Sequence, residues 1–301
     1  SGQHLLGGAV VARYYFIAGH RAQWSVKEMC RVLKVSRGGF YDWQRRSICP
    51  RALETQRLDA AIKELFETSK KRSGSPKITR ALRATGWRVS ESRVARRMRH
   101  LGLRSIVRRR FKVTTDSKHG HPVAPNLLQR NFAVQHPNRV WVSDLTYLRV
   151  GGGWLYLVVF IDLHSRRVVG WALSSSLDHT VVLTALRRAV ARRQPPPGLI
   201  IHSDRGVQYA CTEFTQWLAR HGFVQSMSRK GDCWDNAVAE SFFHLLKSEL
   251  AHHCRWLNYQ ATHRDLFEYI EVFYNRERSH STLDYLSPDQ FEQQKLSTFA
   301  A

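Results

Sequence analysis

From residue 140 onward the chain contains short apolar runs separated by turn residues. This pattern predicts strands at residues 140–148, 154–161 and 168–173, with Gly151, Gly152 and Gly153 forming the first turn. Because the links between these strands are short, each strand can only run antiparallel to the one before it. The first part of this region is therefore predicted to be an antiparallel meander.

Helices and strands alternate after the meander. Helices are predicted at residues 179–192, 212–221, 236–251 and 259–274, and strands at residues 199–203 and 224–227. The strand at 199–203 is apolar on both faces, which is typical of a strand covered by helices on both sides. The order of these elements indicates an RNase H-like α/β domain with a mixed five-stranded sheet and surrounding helices.

The first fifty residues have helical spacing instead. Residues 26–33 repeat apolar side chains on one helical face, Ser36 is a predicted N-cap, and a second helix follows over residues 37–46. This pattern predicts a helix-turn-helix, whose second helix enters the DNA major groove. The alternative is that its aromatic residues simply form a small core. We assign Phe40 to that core and assign outward, DNA-binding positions to Arg37, Arg45 and Arg46.

A second helical unit is predicted over residues 51–107. One helix covers residues 51–69, Ser75 is the predicted N-cap of a second with Pro76 at its first position, and Ser90 or Ser92 caps a third. The third helix carries basic residues, of which we assign Arg93, Arg96 and Arg97 to DNA contact. An all-helical linker is the alternative, but two such patterns in succession favour all-α helix-turn-helix DNA-binding domains.

Residues 108–130 form a predicted basic linker. This segment includes Arg108, Arg109 and Arg110 and has few apolar residues. It is interpreted as an extended strap along DNA phosphates or as a disordered tether.

Charge separates the two halves of the chain. The net charge is +23; residues 1–130 hold 29 basic and 8 acidic residues, against 18 and 16 in residues 131–301. The basic half implies a polyanionic partner, and the basic residues do not lie on one long amphipathic helix, as a membrane surface would require. Five scattered cysteines without a C-x-x-C motif, and no apolar run long enough to cross a membrane, indicate a cytoplasmic protein associated with the nucleoid.

Three acidic residues are the candidate chemistry. Asp144 lies inside an apolar strand, Asp204 ends another strand, and Glu240 lies on a helix, with 35 residues between Asp204 and Glu240. Taken singly, these residues are compatible with a salt bridge, a turn residue and an exposed helical side chain. Converging carboxylates repel one another unless cations lie between them, and Mg²⁺ prefers oxygen ligands. The combination indicates a metal site for phosphoryl transfer.

The sequence segments around these acids resemble those of a known family. "WVSDLTYL", "IHSDRGVQY", "SRKGDCWDNAVAESFF" and "YNRERSHSTL" are similar to the second-frame transposases of IS-three-type bacterial insertion sequences, which have retroviral-integrase-like catalytic cores. The resemblance implies a DDE triad of Asp144, Asp204 and Glu240 that binds two Mg²⁺ ions, for which Mn²⁺ is expected to substitute. It also implies cleavage and strand transfer at element ends, double-stranded DNA as partner, and at least a dimer on DNA.

The expected domains follow from these patterns: an N-terminal helix-turn-helix (1–50), a second helical unit (51–107), the basic linker (108–130), the catalytic core (131–255) and a C-terminal helix and tail (256–301). Two functions from other classes share part of the evidence. An RNase H-like structure-specific nuclease needs the acids but not the helical units. A non-enzymatic DNA-binding repressor needs the units but not the acids.

Several further residues near the acids carry expectations. Lys247 is seven residues after Glu240, on nearly the same helical face, and is predicted to reach a DNA phosphate. Asp162 is a competing site acid, although we interpret it as a turn residue. Asp235 or Asn236 caps the helix of Glu240 or, as the resemblance implies, shapes the loop over the site. A polar C-terminal motif containing Asn275, Arg278 and His280 is expected to contact DNA or the core.

Overall fold

The computed structural model describes residues 10–45, 50–106, 122–229 and 233–299. Its centre is a five-stranded sheet of β1 (Val140–Val150), β2 (Gly153–Asp162), β3 (Val168–Ser174), β4 (Ile200–Ser203) and β5 (Val224–Met227). The strand order is β3-β2-β1-β4-β5. β1, β2 and β3 pair antiparallel, whereas β4 lies parallel to β1 and β5 parallel to β4. The predicted meander and mixed sheet are both confirmed.

The helices cover both faces of this sheet. Twelve α-helices lie within the described ranges. They are α1 (Val10–His20), α2 (Val26–Val32), α3 (Arg37–Arg45), α4 (Pro50–Thr68), α5 (Ser75–Ala84), α6 (Glu91–His100), α7 (His179–Arg193), α8 (Val207–Ala210), α9 (Thr212–Arg220), α10 (Ala237–Glu249), α11 (Tyr259–Phe267) and α12 (Pro288–Phe299). Short 3-10 turns occupy Cys233–Asn236, Ala251–His253 and Ser281–Leu283.

Two apolar clusters fill the space between sheet and helices. On one face, Val142 and Val159 pack with Phe242 and Leu246 of α10. On the other face, Trp141 and other sheet residues pack with α7, α8 and α9. The alternation of strand side chains explains this division, since neighbouring residues of β1 point to opposite faces. Fully burying a large apolar side chain contributes about 1.5–3 kcal/mol, so the two clusters fix the sheet firmly.

The C-terminal segment belongs to the same core. After α11 the chain continues as a π-helix over Glu268–Glu277, where the sequence predicted α-helix to residue 274. Leu266, Ile270 and Tyr274 are buried against the sheet with α10. Residues of the catalytic core and of the C-terminal helix therefore share one apolar cluster. The Asn275 side chain donates to and accepts from the backbone of Val168, 3.0 Å in each case.

The two helical units at the N-terminus each have a separate small core. Phe40 is fully buried with Ile17, Met29 and Leu33, which confirms its assignment to the core. Ser36 accepts a hydrogen bond from the backbone of Gly39 and caps α3. The core of the second unit contains Leu58, Ile62, Phe66, Ile78, Leu82, Val94 and Met98.

The caps of the second unit differ in part from expectation. Ser90 caps α6, because its side chain accepts from the backbone N–H of Arg93. The expectation that Ser75 is the N-cap of α5 is wrong. Gly74 occupies the cap position, and both Ser75 and Pro76 lie inside α5. Proline still stands in the first turn, where its missing N–H costs nothing.

The second helical unit docks on the catalytic core through basic side chains. The Arg72 guanidinium lies over the rings of Tyr269 and Phe273, at 5.4 and 4.3 Å, and donates to the carbonyl of Glu249. Lys70 pairs with Glu268. Burial lowers the pKa of Lys77 to about 8. Part of the positive charge expected to meet DNA is thus used in this contact.

The described end of the predicted linker packs against the catalytic core. Asn126 donates to Asp235 and the Leu127 N–H donates to Ser226 Oγ, at 2.8 and 2.9 Å, while Leu128 is buried in the core. Residues 107–121, which include Arg108, Arg109 and Arg110, lie outside the described residues. Within the described ranges, no helix has the length and apolar character needed to span a membrane.

Candidate active site

The sheet register brings two of the three candidate acids together. Val142 of β1 pairs in parallel with His202 of β4. Asp144, inside β1, and Asp204, directly after β4, each follow two residues later, so they lie side by side on the same face of adjacent strands. Both side chains are half-buried. The two aspartates are 60 positions apart in the sequence.

The third acid comes from the helix that packs on this face. Glu240 lies in the first turn of α10, and Ala239, Phe242 and Phe243 beside it are buried against the sheet. Asn236, immediately before α10, donates from Nδ2 to the carbonyl of Ser143 at 3.0 Å. The start of the helix is therefore fixed to the residue that precedes Asp144, and Glu240 lies over the two aspartates.

The pKa shifts of these acids show that their charges interact. Burial first, and then the charges of Asp204 and Glu240, raise the pKa of Asp144 well above its usual range, although the N–H of Leu145 opposes this. The pKa of Glu240 is also raised, by burial and by Asp204. Such a cluster disfavours three negative charges, and a bound cation would remove that penalty. Three sets of carboxylate oxygens match the ligand preference of a hard divalent ion.

A buried hydroxyl pair supports the strand that carries Asp144. Ser143 Oγ lies 2.8 Å from the hydroxyl of Tyr209 and donates to the carbonyl of Val159. Tyr209 is buried beneath the site, and its pKa is raised by burial and by the charges of Asp144 and Asp204. The sequence analysis did not single out Tyr209. Its position five residues after Asp204 was the available signal.

The loop after β4 holds Asp204 in place. The N–H of Gly206 donates to Asp204 Oδ1 at 3.0 Å. Arg205 reaches across and donates from Nε to the carbonyl of Ser228, at the end of β5. A Cβ at position 206 would lie 3.1 Å from Asp204 Oδ1, so glycine leaves this carboxylate its space.

Lys247 lies close enough to Asp144 for their charges to interact. Its charge stabilises the ionised form of Asp144. Its own pKa is lowered by burial, which outweighs the raising effect of Asp144. The Nζ atom lies 5.2 Å from the ring centroid of Tyr147. Lys247 therefore lies at the edge of the site, next to an exposed aromatic side chain.

Asp162 lies in a different environment from the three acids. It is fully buried, and its carboxylate accepts from the backbone N–H groups of Asn138 and His164 at 2.7 and 2.8 Å. Burial is the first cause of its raised pKa. Backbone donors already satisfy this side chain, which agrees with its interpretation as a turn residue.

Asp235 organises the loop before α10 and does not cap it. Its buried carboxylate accepts from Arg229, Arg130 and Asn126. These bonds, that of Arg229 first, hold its pKa well below the usual range. Asn236 stands at the cap position, but its side chain accepts no bond from the backbone of α10 and instead donates from Nδ2 to Ser143. The capping alternative is therefore wrong for both residues.

The predicted DNA-contact residues fall into three groups. Arg37, Arg45 and Arg96 are exposed. Arg93 and Arg97 pair within the second helical unit, with Glu54 and with Asp59; both N–H···O distances of the Arg97 pair are below 2.8 Å. Arg46 lies outside the described residues, as do Arg108, Arg109 and Arg110.

A second group of metal-ligating types lies away from the three acids. Ligand atoms of His179, Cys211 and Glu213 are within 4.8 Å of one another. His179 is the first residue of α7, Cys211 immediately precedes α9, and Glu213 lies in the first turn of α9. Burial raises the pKa of Cys211, which favours its thiol form. A neutral thiol and a partly exposed histidine suit a hard divalent ion less well than the three carboxylates do.

Comparison with known proteins places the chain in a family. Residues 134–233 and 240–296 match models described as integrase core domain, and residues 54–111 match an HTH-like domain. The transposase InsF for insertion sequence IS3A of Escherichia coli (strain K12) is 44% identical over 95% of this chain and 100% of the relative. An insertion element IS600 uncharacterized 31 kDa protein of Shigella sonnei is 40% identical over 88% of this chain and 97% of the relative.

Among solved structures, a simian T-cell lymphotropic virus intasome in complex with PP2A regulatory subunit B56 gamma aligns with 76% of this chain and 73% of that chain, at 15% identity and a TM-score of 0.45. The identity to InsF over nearly the whole length, together with the integrase-core match, assigns the family. The chain belongs to the insertion-sequence transposases, DDE-type polynucleotidyl transferases with an RNase H-like integrase core and an N-terminal helix-turn-helix-like region.

Proposed function

We propose that Asp144, Asp204 and Glu240 are the metal-binding, catalytic residues of this transposase, and that they bind two Mg²⁺ ions. The observation that supports this most strongly is the strand register, which places Asp144 beside Asp204 while α10 adds Glu240. The raised pKa values of Asp144 and Glu240 are what a divalent-ion site shows without its ions. Mn²⁺, with similar oxygen preference, should substitute.

The residues around the acids have defined tasks in phosphoryl transfer. When bound, the two ions activate the attacking oxygen and stabilise charge on the leaving 3′ oxygen of DNA. Asp144, Asp204 and Glu240 bind the ions, Asn236 keeps α10 against β1, and Lys247 is placed to contact a phosphate beside them. Ser143 and Tyr209 are buried against each other, so neither hydroxyl is exposed as a nucleophile. Water and a DNA 3′-hydroxyl are the expected attacking groups.

DNA binding is divided between the two halves of the chain. The helical units hold most of the positive charge, and their exposed arginines, Arg37, Arg45 and Arg96, are proposed to contact the ends of the insertion sequence. Arg93 and Arg97 are already bound to carboxylates and contribute mainly to the shape of the second unit. Joining two ends requires two catalytic sites, so the active form is proposed to be at least a dimer on DNA.

The decisive experiment follows labelled end DNA through nicking and joining in the presence of Mg²⁺. The full chain should nick the end and join it to a second DNA. Each of Asp144→Ala, Asp204→Ala and Glu240→Ala should still bind the end and should do neither reaction. Asp284→Asn is a matched control, because Asp284 is exposed, lies in the same domain and has a left-handed backbone that asparagine tolerates.

The outcomes separate the candidate functions. Nicking without any joining would indicate a structure-specific nuclease, and specific binding with neither reaction would indicate a repressor. Near-normal joining by any one alanine variant would remove that residue from the proposed site.

A further inference from the structure

An open groove of about 620 Å³ lies beside the active site. One wall is the β1–β2 hairpin, with Tyr147, Arg149 and Trp154. The other wall is the segment after α10, with Arg255 and Leu257, and Lys247 stands at the end nearest the acids. The identity of the chain as a transposase assigns no role to this groove.

The hairpin wall is an exposed aromatic face. Along the end of β1 the side chains alternate between buried and exposed, so Tyr147 and Arg149 point outward while Leu148 is buried. Trp154 pairs with Arg149 across the hairpin. Tyr147 is 41% and Trp154 51% exposed. Two large aromatic side chains on a solvated strand face contribute little to the core, which points to a ligand.

The two rings are arranged so that a ring face stays open. Their centroids are 5.1 Å apart and their planes meet at 89°, an edge-to-face pair. In such a pair, the ring that presents its edge keeps both faces free of its partner. A flat aromatic ligand can therefore stack on this platform without separating Tyr147 from Trp154.

The groove is held in shape by its turn. Gly151, at the tip of the hairpin, has φ +51° and donates its N–H to the carbonyl of Trp256 at 2.8 Å. A Cβ there would lie 3.2 Å from the carbonyl oxygen of Leu257. This close approach fixes the hairpin against the opposite wall. The groove is thus preformed.

Charge identifies the kind of ligand. The lining residues include Arg149, Lys247 and Arg255 but no Asp or Glu. Within the part of the chain that the structure describes, no ion pair joins Arg149 or Arg255 to an acid. Aromatic side chains among unpaired cations are the composition of sites that bind single-stranded nucleic acid, where bases stack and cations contact phosphates.

The position of the groove relative to the three acids indicates which nucleotide of the DNA it would bind. Tyr147 is three residues after Asp144 on β1, about 10 Å away at about 3.3 Å per residue, and leaves the opposite face of the strand at a point where β1 is the edge of the sheet, since β4 pairs only with residues 140–142. Lys247 lies within reach of both, through the charge of Asp144 and the ring of Tyr147. A strand whose phosphate is at the acids would therefore place a base one or two nucleotides away in the groove.

We propose that this groove binds an unpaired nucleotide next to the reacting phosphate of the DNA end, with its base stacked on Tyr147 and Trp154 and its backbone held by Arg149 and Arg255. The duplex must open at its end for this to happen. Stacking would compensate for the lost base pair and would hold the reacting phosphate at the acids. This proposal deepens the proposed function and rests on the assignment of Asp144 as a site acid.

The test compares two DNA ends on two proteins. Paired end DNA and the same DNA with mismatches at its last positions are bound to the full chain with Ca²⁺, and affinity is measured by fluorescence anisotropy. The parent should bind the mismatched end roughly tenfold more tightly, since it avoids the cost of unpairing. Trp154→Leu should lose that preference, because one base–aromatic stack accounts for about a tenfold or larger effect.

Two further variants separate stacking from a general loss of structure. Trp154→Tyr keeps a ring and should retain most of the preference. Phe267→Leu removes an aromatic side chain that is equally exposed, at 50%, but lies outside the groove, and should behave as the parent. A 2-aminopurine at the terminal position should be quenched by the parent and by Trp154→Tyr, and not by Trp154→Leu.

The proposal is overturned if Trp154→Leu keeps the parent's preference for mismatched ends, or if the parent has none. A groove that serves a protein partner would give that second result. Because binding is measured with Ca²⁺, these outcomes do not depend on chemistry. Failure of the parent to join DNA with Mg²⁺ would count against the catalytic assignment and not against the groove.

Discussion

Two glutamates of α10 have carboxylates in opposite electrostatic environments. Glu249, near the end of α10, is buried and accepts a bidentate pair from Arg278 and a bond from the hydroxyl of Tyr269. Glu240, in the first turn, faces Asp144 and Asp204. Among the described residues, no ion pair joins Glu240 to a basic side chain. The two sites lie on the same helix and pack against the same sheet.

The difference teaches what each site is for. At Glu249 the protein supplies the compensating charge, so the site is complete and holds the C-terminal segment to α10. At Glu240 like charges are gathered, which is unfavourable unless something outside the chain supplies positive charge. A carboxylate satisfied internally is structural, and a set of neighbouring carboxylates left with raised pKa values indicates function.

The largest effect should come from neutralising the unbalanced cluster. Asp144→Asn, Asp204→Asn and Glu240→Gln should each lower joining by about 10³-fold or more, since metal-ion stabilisation of a transition state contributes several kcal/mol. None should lower the melting temperature, because each removes a repulsive charge. Joining assays and thermal unfolding on the same preparations check this. A large loss of stability in these variants would make the cluster a structural site like that of Glu249.

Breaking the balanced pair should do the reverse. Glu249→Ala leaves Arg278 buried without its partner and should lower the free energy of unfolding by about 3–5 kcal/mol, as measured by denaturant titration. Glu67→Gln is the control, because Glu67 forms an exposed pair with Lys71 that contributes under about 1 kcal/mol. Replacing both partners, as Glu249→Leu with Arg278→Met, should recover much of the loss. If the single variant is as stable as the parent, the pair does not hold the C-terminal segment.

His280 sharpens the comparison through pH. Burial first, and then the charges of Arg278 and Lys77, lower the pKa of His280 to about 2. The unfolded chain binds a proton there near pH 6.5 and the folded chain does not, so this contribution to stability is complete above pH 6.5 and falls as pH drops toward 2.

Between pH 6.5 and 5 the loss should be about 1.6 kcal/mol, since the slope rises to about 1.36 kcal/mol per pH unit only below the pKa of the unfolded histidine. His280→Asn should remove that slope while other groups keep theirs. Denaturant titrations of both proteins at the two pH values measure the difference. Equal slopes would mean that His280 titrates normally in the folded protein.

The smallest effect on joining is expected from replacing Lys247, which lies beside the three acids. Lys247→Ala should lower single-turnover joining by roughly tenfold, while the salt slope of DNA binding changes by only about 0.9, the share of one phosphate contact. Lys295→Ala, an exposed lysine of α12, is the control. Unchanged joining would show that Lys247 does not contact DNA near the acids.

The elements of the catalytic domain could be predicted because their patterns are local. The strands and helices were found within a few residues, and β1 extends to Val150 because its pairing with β2 continues to the turn at Gly153. The π-helix after Phe267 could not be predicted. Its apolar residues follow nearly the same spacing as those of an α-helix, and the change depends on packing against the sheet.

The site could be predicted in part. The three acids stand out because the words around them are specific to a family, and their meeting follows from strand order. Their support could not be predicted. The bonds of Asn236 to Ser143 and of Ser143 to Tyr209 join residues far apart in sequence, and each residue alone has an ordinary local role. The ion pair between Arg97 and Asp59 could not be predicted for the same reason.

Metal binding tests the central claim most directly. Mn²⁺ bound to the full chain on end DNA can be counted by electron paramagnetic resonance. The parent should bind two ions per site, and Asp144→Asn and Glu240→Gln should each lose them. Glu213→Gln, in the separate group with His179 and Cys211, should bind as the parent does. Undiminished Mn²⁺ binding by Asp144→Asn, or its loss in Glu213→Gln, would contradict the assignment of the three carboxylates as the metal site.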